Sequence, residues 1–351
     1  MTNRRKFIRN TAAAIVASSI SPIAFSQVVS DSETDLSFEK IKPKRLKKGD
    51  TIGLITPGGQ IVKRQLDETI AKLEKLGYKT YHTDKVLKQY GYFAGTDNER
   101  ATDLMHHFTN KNVDVILAIR GGYGAIRILD LLDYKLIQQN PKALIGYSDI
   151  TALLSAIYER TGVVTFHGPV GISSFNNFSI ESLESVLMCP KRRFKFPYQR
   201  EKNTEDNREY DLYTINEGKA KGELIGGNLS VIDSMIGSKF ELNFKDKIVY
   251  LEEISEKTYK VDKMLVHLLQ ATNIKEAAGI AFGIFAKCDR GDEPRLSLKE
   301  AIVSLFQPLG IPISYGFPFG HIATKITLPT GVKAKLNASK NTLKLLEKAV
   351  E

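Results

Sequence analysis

The chain has 351 residues, 42% of them hydrophobic and 26% charged, with 50 Lys and Arg against 40 Asp and Glu. That is the composition of a globular protein large enough for two domains. Past the first residues no apolar run reaches the length of a membrane-spanning helix.

The first residues form their own unit. Arg4-Arg5-Lys6-Phe7-Ile8 precedes a short Ala- and Ser-rich segment, and Ala24-Phe25-Ser26 supplies small residues where a signal peptidase cuts. Residues 1–26 therefore read as an export signal of the twin-arginine type, which carries folded proteins. The alternative is a disordered basic arm on a cytoplasmic protein. The signal holds Arg4, Arg5, Lys6 and Arg9 and no acid, leaving 46 basic residues against 40 acidic, a net +6 in place of +10. These charges are interspersed except at residues 42–48, a solvated lead-in to the first strand rather than a nucleic-acid footprint. Cys189 and Cys288 stand apart from any histidine cluster, so no metal site is expected. A chain folded before export completes folding in a reducing compartment, which favours two free thiols.

Residues 27–47 are polar and patternless, a linker. Residues 50–59 read as a short strand closed by Pro57, Gly58 and Gly59, and Leu66, Ile70, Leu73 and Leu76 have helical spacing. A second strand begins at Tyr78, a helix covers 99–108, and residues 113–119 form a buried strand ending in Arg120-Gly-Gly-Tyr-Gly124. A helix over 126–132 leads to the apolar run ending at Gly146. Strands alternating with helices predict an α/β domain with a parallel sheet covered on both faces, its ligand crevice beyond the carboxyl ends of the strands. The charged segment 189–215 reads as an interdomain linker. Beyond it, strands at 222–227, 247–251 and 279–286 and helices at 229–236, 260–270 and 298–306 form a second domain.

The stretch that organises the chain is Gly146-Tyr147-Ser148-Asp149, a sharp turn between a strand and a helix face of Ile150, Leu153, Leu154 and Ile157. Such a turn raises a serine hydroxyl above the sheet beside the first free N–H groups of the helix. A plain N-cap is the bland alternative. A nucleophilic serine needs a base and an orienting group. Of six histidines, His82, His106 and His107 read as solvated, and His267 as a core or interface residue. His167, in Phe166-His-Gly-Pro169, and His321, in a Gly- and Pro-punctuated loop, remain as bases. Glu252 and Glu253, at the end of a strand, remain as the acid.

Arg120-Gly-Gly-Tyr-Gly124, Ile145-Gly-Tyr-Ser-Asp-Ile-Thr151, His167-Gly-Pro169, Gly226-Gly-Asn-Leu229, Leu251-Glu252 and Gly320-His321 occur here in order. In this the chain resembles the L,D-carboxypeptidases, the muramoyl-tetrapeptide carboxypeptidase family of serine peptidases, over residues 48–335. The resemblance implies a Rossmann-like amino-terminal domain (48–188) and a smaller mixed α/β carboxyl-terminal domain (216–340), with the active site between them. It implies a triad of Ser148, Glu252 and His321, Glu253 being the competing acid. It also implies an oxyanion hole from the N–H groups of Gly122 and Asp149, with Arg120 a candidate for the terminal carboxylate. The expected reaction is release of the terminal D-alanine from peptidoglycan tetrapeptides, with no metal or organic cofactor. The expected assembly is a homodimer, exported to the periplasm and without nucleic-acid partners or stable membrane insertion. Two other readings fit the same residues: a same-fold peptidase hydrolysing peptide–nucleotide antibiotics, and an inert exported muropeptide-binding protein.

Overall fold

The computed structural model describes residues 39–202, 204, 207–289 and 296–351, and residues 38–351 form one compact unit. Residues 1–26, expected to be an export signal, lie outside the described residues.

The chain opens with β1 (Thr51–Ile55), α1 (Lys63–Lys75), β2 (Lys79–Tyr81), α2 (Asp97–Thr109), β3 (Val115–Ala118), α3 (Tyr134–Gln139), β4 (Ala143–Gly146), α4 (Thr151–Thr161), β5 (Thr165–His167) and α5 (Asn177–Leu187). The five strands pair in parallel in the order 2-1-3-4-5. Strands β3 and β4 are buried at every residue, as a sheet covered on both faces requires. The expected helix over 126–132 is instead a 3-10 segment, Ala125–Leu131. Helix α4 is buried almost all round from Thr151 to Ile157, which explains why its sequence is apolar beyond a single stripe.

The second half supplies β6 (Phe194–Lys195), β7 (Tyr213–Asn216), β8 (Lys219–Asn228), α6 (Leu229–Met235), β9 (Ile248–Ile254), α7 (Thr258–Ala271), β10 (Gly279–Ala286), α8 (Leu298–Phe306) and β11 (Ile313–Tyr315), then β12 (Leu328–Thr330), β13 (Lys333–Asn337) and β14 (Thr342–Leu345). The second sheet runs β6-β14-β13-β8-β9-β10-β11-β7, with β8 to β11 parallel and the outer strands antiparallel. Strand β12 leaves this half and pairs antiparallel with β5, closing the first sheet.

The described residues of two expected linkers, 39–47 and those within 189–215, are part of the folded body. Within 27–47, Ile41 bridges to Val163, and Pro43 and Leu46 are buried, three apolar anchors hidden among lysines. Within 189–215, β6 and β7 pair at the two edges of the second sheet, and the Glu209 carboxylate is buried, accepting from Lys287 N–H at 2.9 Å. Both cysteines are free, Cys189 exposed and Cys288 buried.

Both sheets direct the carboxyl ends of their parallel strands to one place. The turn after β4 starts α4, and the amide of Asn228, at the end of β8, donates to Thr151 Oγ1 at 3.0 Å. Register pairs Asn228 with Glu252 on β9.

Candidate active site

Tyr147 is still extended (φ −154°), and the chain then reverses at Ser148, whose φ of +64° is left-handed. A residue with a side chain is strained there by roughly 1–3 kcal/mol. One 3-10 turn, Ser148–Ile150, passes into α4, so the serine tops a strand at the amino end of a helix. The loop after β3 closes on it. A β-carbon at Gly121 would stand 2.9 Å from Ser148 Cβ and 3.1 Å from its Oγ, so only glycine admits this approach. Gly122 N–H has no acceptor among the described residues. Asp149 N–H sits in the first helical turn, where no intrahelical acceptor is available.

The Asp149 carboxylate points away from this gap and fastens the loop. Its Oδ2 accepts from Ala125 N–H at 2.9 Å. Burial pushes its pKa up, against the backbone N–H groups of Ala125 and Gly124 and the charge of Arg100. Arg100 is itself buried; its Nη1 donates to Gly124 O at 2.8 Å and to Pro57 O, and its Nη2 pairs with Asp97. This guanidinium ties the loops after β1 and β3 together, a role that its place in a helical pattern does not announce.

Strand alternation separates the two candidate acids. His321 Nδ1–H donates to Glu252 Oε2 at 2.8 Å. Gly320 allows it: its φ is +111°, and a β-carbon there would lie 2.7 Å from that same oxygen. Glu252 has no exposed surface. Burial alone would raise its pKa, but the charge and hydrogen bond of His321 outweigh burial and hold the carboxyl below its ordinary range. Glu253 faces the other way, accepting from Asn228 Nδ2 (3.1 Å), Ile254 N–H (2.8 Å) and Ser230 N–H (2.7 Å). Burial, then the charge of Glu252, push Glu253 up to about 7.

The His321 ring packs edge-on against Tyr147, 4.8 Å between centroids, which brings the Glu252–His321 pair beside the residue preceding Ser148. Lys325 Nζ stands 4.0 Å from the centre of the Tyr147 ring. Burial brings Lys325 down to about 8, against the pull of Glu252 and Glu201. Ser148, Gly122, Asp149 and Glu253 line one cavity of about 380 Å³ with Tyr123, Asn228, Ser230 and Glu256. Arg120 is exposed outside that lining and donates to Gln60 O at 3.1 Å.

The other histidines separate clearly. His167 is buried among Tyr147, Tyr250 and Phe319, and neither ring nitrogen has a partner among the described residues. Burial brings it down to about 4. His107, expected on a solvated face, is buried, because with Arg100 and Leu104 it completes the inner stripe of α2. His267, expected in a core or interface, is half-exposed on α7 and meets Asp233 at 2.7 Å. No group of three or more His, Cys, Asp or Glu among the described residues is arranged to hold a metal ion.

Residues 52–168 match the model for the LD-carboxypeptidase N-terminal domain, and residues 221–336 that for the LD-carboxypeptidase C-terminal domain. The probable murein peptide carboxypeptidase of Bacillus subtilis is 37% identical over 86% of this chain and 93% of its own length. The chain belongs to the LD-carboxypeptidase family. Among solved structures, the microcin self-immunity protein MccF superposes with a TM-score of 0.80 at 25% identity, over 89% of this chain and all of MccF. The muramoyltetrapeptide carboxypeptidase of Oxalobacter formigenes does so with 0.73 at 27% identity, over 84% of this chain and 97% of its own. Membership makes this chain one of a family of carboxypeptidases built on a two-domain α/β fold.

Proposed function

We propose that the protein is a serine carboxypeptidase that removes the terminal D-alanine from a peptidoglycan tetrapeptide. The observation that carries this reading is the buried 2.8 Å Glu252–His321 bond packed against the turn that raises Ser148. Ser148 Oγ attacks the scissile carbonyl while His321 Nε2 takes its proton, and Glu252 holds the ring by Nδ1 and stabilises the imidazolium. The oxyanion is held by Gly122 and Asp149 N–H, each such donor supplying on the order of 10²–10³ in rate. His321 returns the proton to the departing D-alanine amine. Water, deprotonated by the same ring, then releases the acyl group. Arg120 retains guanidinium N–H groups beyond its bond to Gln60 O, enough to grip a terminal carboxylate.

Mass spectrometry of a synthetic tetrapeptide tests the reading. Wild-type protein should release one D-alanine, and Ser148→Ala should lower kcat by roughly 10⁴–10⁶. An intact tetrapeptide with wild-type protein would overturn it, and would favour the non-catalytic muropeptide-binding reading. The likeness to MccF supports a second reading, hydrolysis of peptide–nucleotide antibiotics, which the same assay tests with such a conjugate as substrate. We further propose that the protein acts outside the cytoplasm, a reading supported by the twin-arginine pattern at Arg4 and Arg5.

A further inference from the structure

A second cavity, of about 620 Å³, lies at the opposite edge of the first sheet from Ser148, where the parallel strands begin. Three stretches remote in sequence line it: the lead-in to β1, the turn before β3 and the turn before β4. They bring six cationic side chains together. Lys42, Lys44, Arg45 and Lys47 come from the first stretch, Lys111 from the second and Lys142 from the third. The sequence shows only the first four as a cluster; the fold adds the other two and makes the cluster concave.

The acids present do not neutralise it. Three carboxylate side chains share the lining, and even with the main-chain carboxylate of Glu351 counted as a fourth the cations are in excess. Two of those acids are engaged by the backbone: Asp50 Oδ2 accepts from Lys47 N–H at 2.7 Å, and Asp114 Oδ2 from Thr51 N–H at 2.9 Å. Lys42 pairs with Glu347 at 3.1 Å, but Lys44, Arg45, Lys47 and Lys111 have no ion-pair partner among the described residues. Lys142 Nζ donates to His107 O at 2.9 Å and to Asn110 O, which leaves one ammonium proton unused. Burial brings Lys142 down to about 8, and an anion beside it would favour the charged form again. A concave wall of one sign focuses its field into the cavity. The wall is also fixed in advance: Arg45 N–H donates to Glu351 O at 2.7 Å, Leu46 N–H to Leu187 O at 2.9 Å and Glu351 N–H to Pro43 O at 3.0 Å. A site ordered before binding loses little entropy on receiving its ligand.

The lining also selects the kind of anion. Five of the six cations are lysines, point charges that suit the spread charge of a phosphate, whereas a carboxylate is gripped best by the arginine fork. Aromatic side chains are absent from the lining, so it offers no platform for stacked bases and does not fit a nucleic acid. Val113 and Pro141 are its only apolar members, too little to hold an acyl chain. We propose that this cavity is a binding site for a phosphate-rich polyanion, either a soluble oligophosphate or the headgroup of an anionic lipid. Because it lies at the far end of the strands from Ser148, an anion held there leaves the catalytic cavity open. The proposal stands apart from the carboxypeptidase reading, and its test needs no turnover.

Calorimetry with sodium tripolyphosphate at low ionic strength should show one bound molecule per chain, with affinity falling as salt is added. Each exposed ion pair contributes about 0.2–1 kcal/mol. Reversing three charges together, Lys44→Glu, Arg45→Glu and Lys111→Glu, should therefore raise Kd at least about tenfold with the thermal midpoint unchanged. Lys111→Glu alone, at the exposed turn after α2, should raise it at least about twofold and serves if the triple variant misfolds. Lys219→Glu with Lys221→Glu, exposed on β8, should leave Kd within about twofold of wild type. Flotation with vesicles of phosphatidylglycerol in phosphatidylcholine separates the two sources. Co-flotation that tripolyphosphate displaces assigns a lipid headgroup, and tripolyphosphate binding without co-flotation assigns a soluble phosphate. Binding of neither probe, equal weakening by the β8 pair, or tighter binding of duplex DNA through the same residues would overturn the proposal.

Discussion

Replacing His167 by leucine and, separately, Glu253 by glutamine should expose two pH dependences of stability that oppose each other in the wild-type protein. His167 is buried, and burial lowers it from 6.5 to about 4. Its folded form resists the proton, so its contribution is fully present above about 6.5 and is lost as pH falls toward about 4. Glu253 runs the other way. Burial and the neighbouring Glu252 raise it from 4.5 to about 7, so the folded state holds its proton and stability is lost as pH rises across that interval. Each interval is about 2.5 pH units, and 1.36 kcal/mol per unit makes each contribution roughly 3 kcal/mol at most. Between about pH 4.5 and 6.5 the two slopes have similar size and opposite sign. Urea unfolding at half-unit steps from pH 4.5 to 7.5, taken as differences from wild type, cancels the titrating groups that the replaced residue does not face. His167→Leu should gain on wild type as pH falls, and Glu253→Gln should gain as pH rises. A difference that stays level across pH 4.5–6.5 for either variant would refute the burial argument for that residue.

Ser148→Gly should abolish turnover yet raise stability by about 1 kcal/mol in thermal unfolding, because glycine accepts the left-handed φ of +64° without strain; a lower midpoint would remove the strain argument. Glu252→Gln keeps the shape but takes a charge from beside the imidazole. For charges ~4 Å apart at an effective dielectric of ~20 this is about 4 kcal/mol, so kcat should fall about 10³-fold with KM little changed, and a loss under tenfold would contradict the triad. Replacing Arg4 and Arg5 by lysine should leave a folded, active precursor in the cytoplasm, which fractionation reads directly; equal export of both proteins would point to the general secretory route.

Much of the first sheet was legible because its signals are local. Each strand is a short apolar run buried on both faces, each main helix carries its own spacing, and the Ser148 turn is four consecutive residues. What stayed hidden depends on pairing at long range. Glu252 and Glu253 are equivalent as sequence, and only the register of β9 against β8 and the arrival of Gly320 decide which one meets an imidazole. Strand β12 is three residues long and pairs with β5 far back in the chain, a contact that no periodicity signals. Strands β6 and β7 are two and four residues long and flanked by charged residues, so these edge strands look like a linker. Helical spacing from Arg100 and Leu104 places His107 inward, a stripe that the arginine obscures in the sequence.

The division of the site between two sheets explains why its members are so far apart in sequence. Ser148 comes from the end of β4 and the Glu252–His321 pair from β9 and the loop after β11, so neither half holds all three residues of the proposed triad. Their alignment is fixed by the contact of α4 with β8, where Asn228 N–H reaches Thr151 Oγ1 at 3.0 Å and Asn228 Nδ2 reaches Glu253 at 3.1 Å. Asn228 thus contacts the first turn after Ser148 and the residue next to Glu252. In the proposed triad an error of an ångström between the sheets would misplace Ser148 relative to His321 while leaving each sheet intact. Buried polar groups gather at this contact, Asn228, Glu252, Glu253, Lys325 and His167 among them, and hold the two sheets in one alignment.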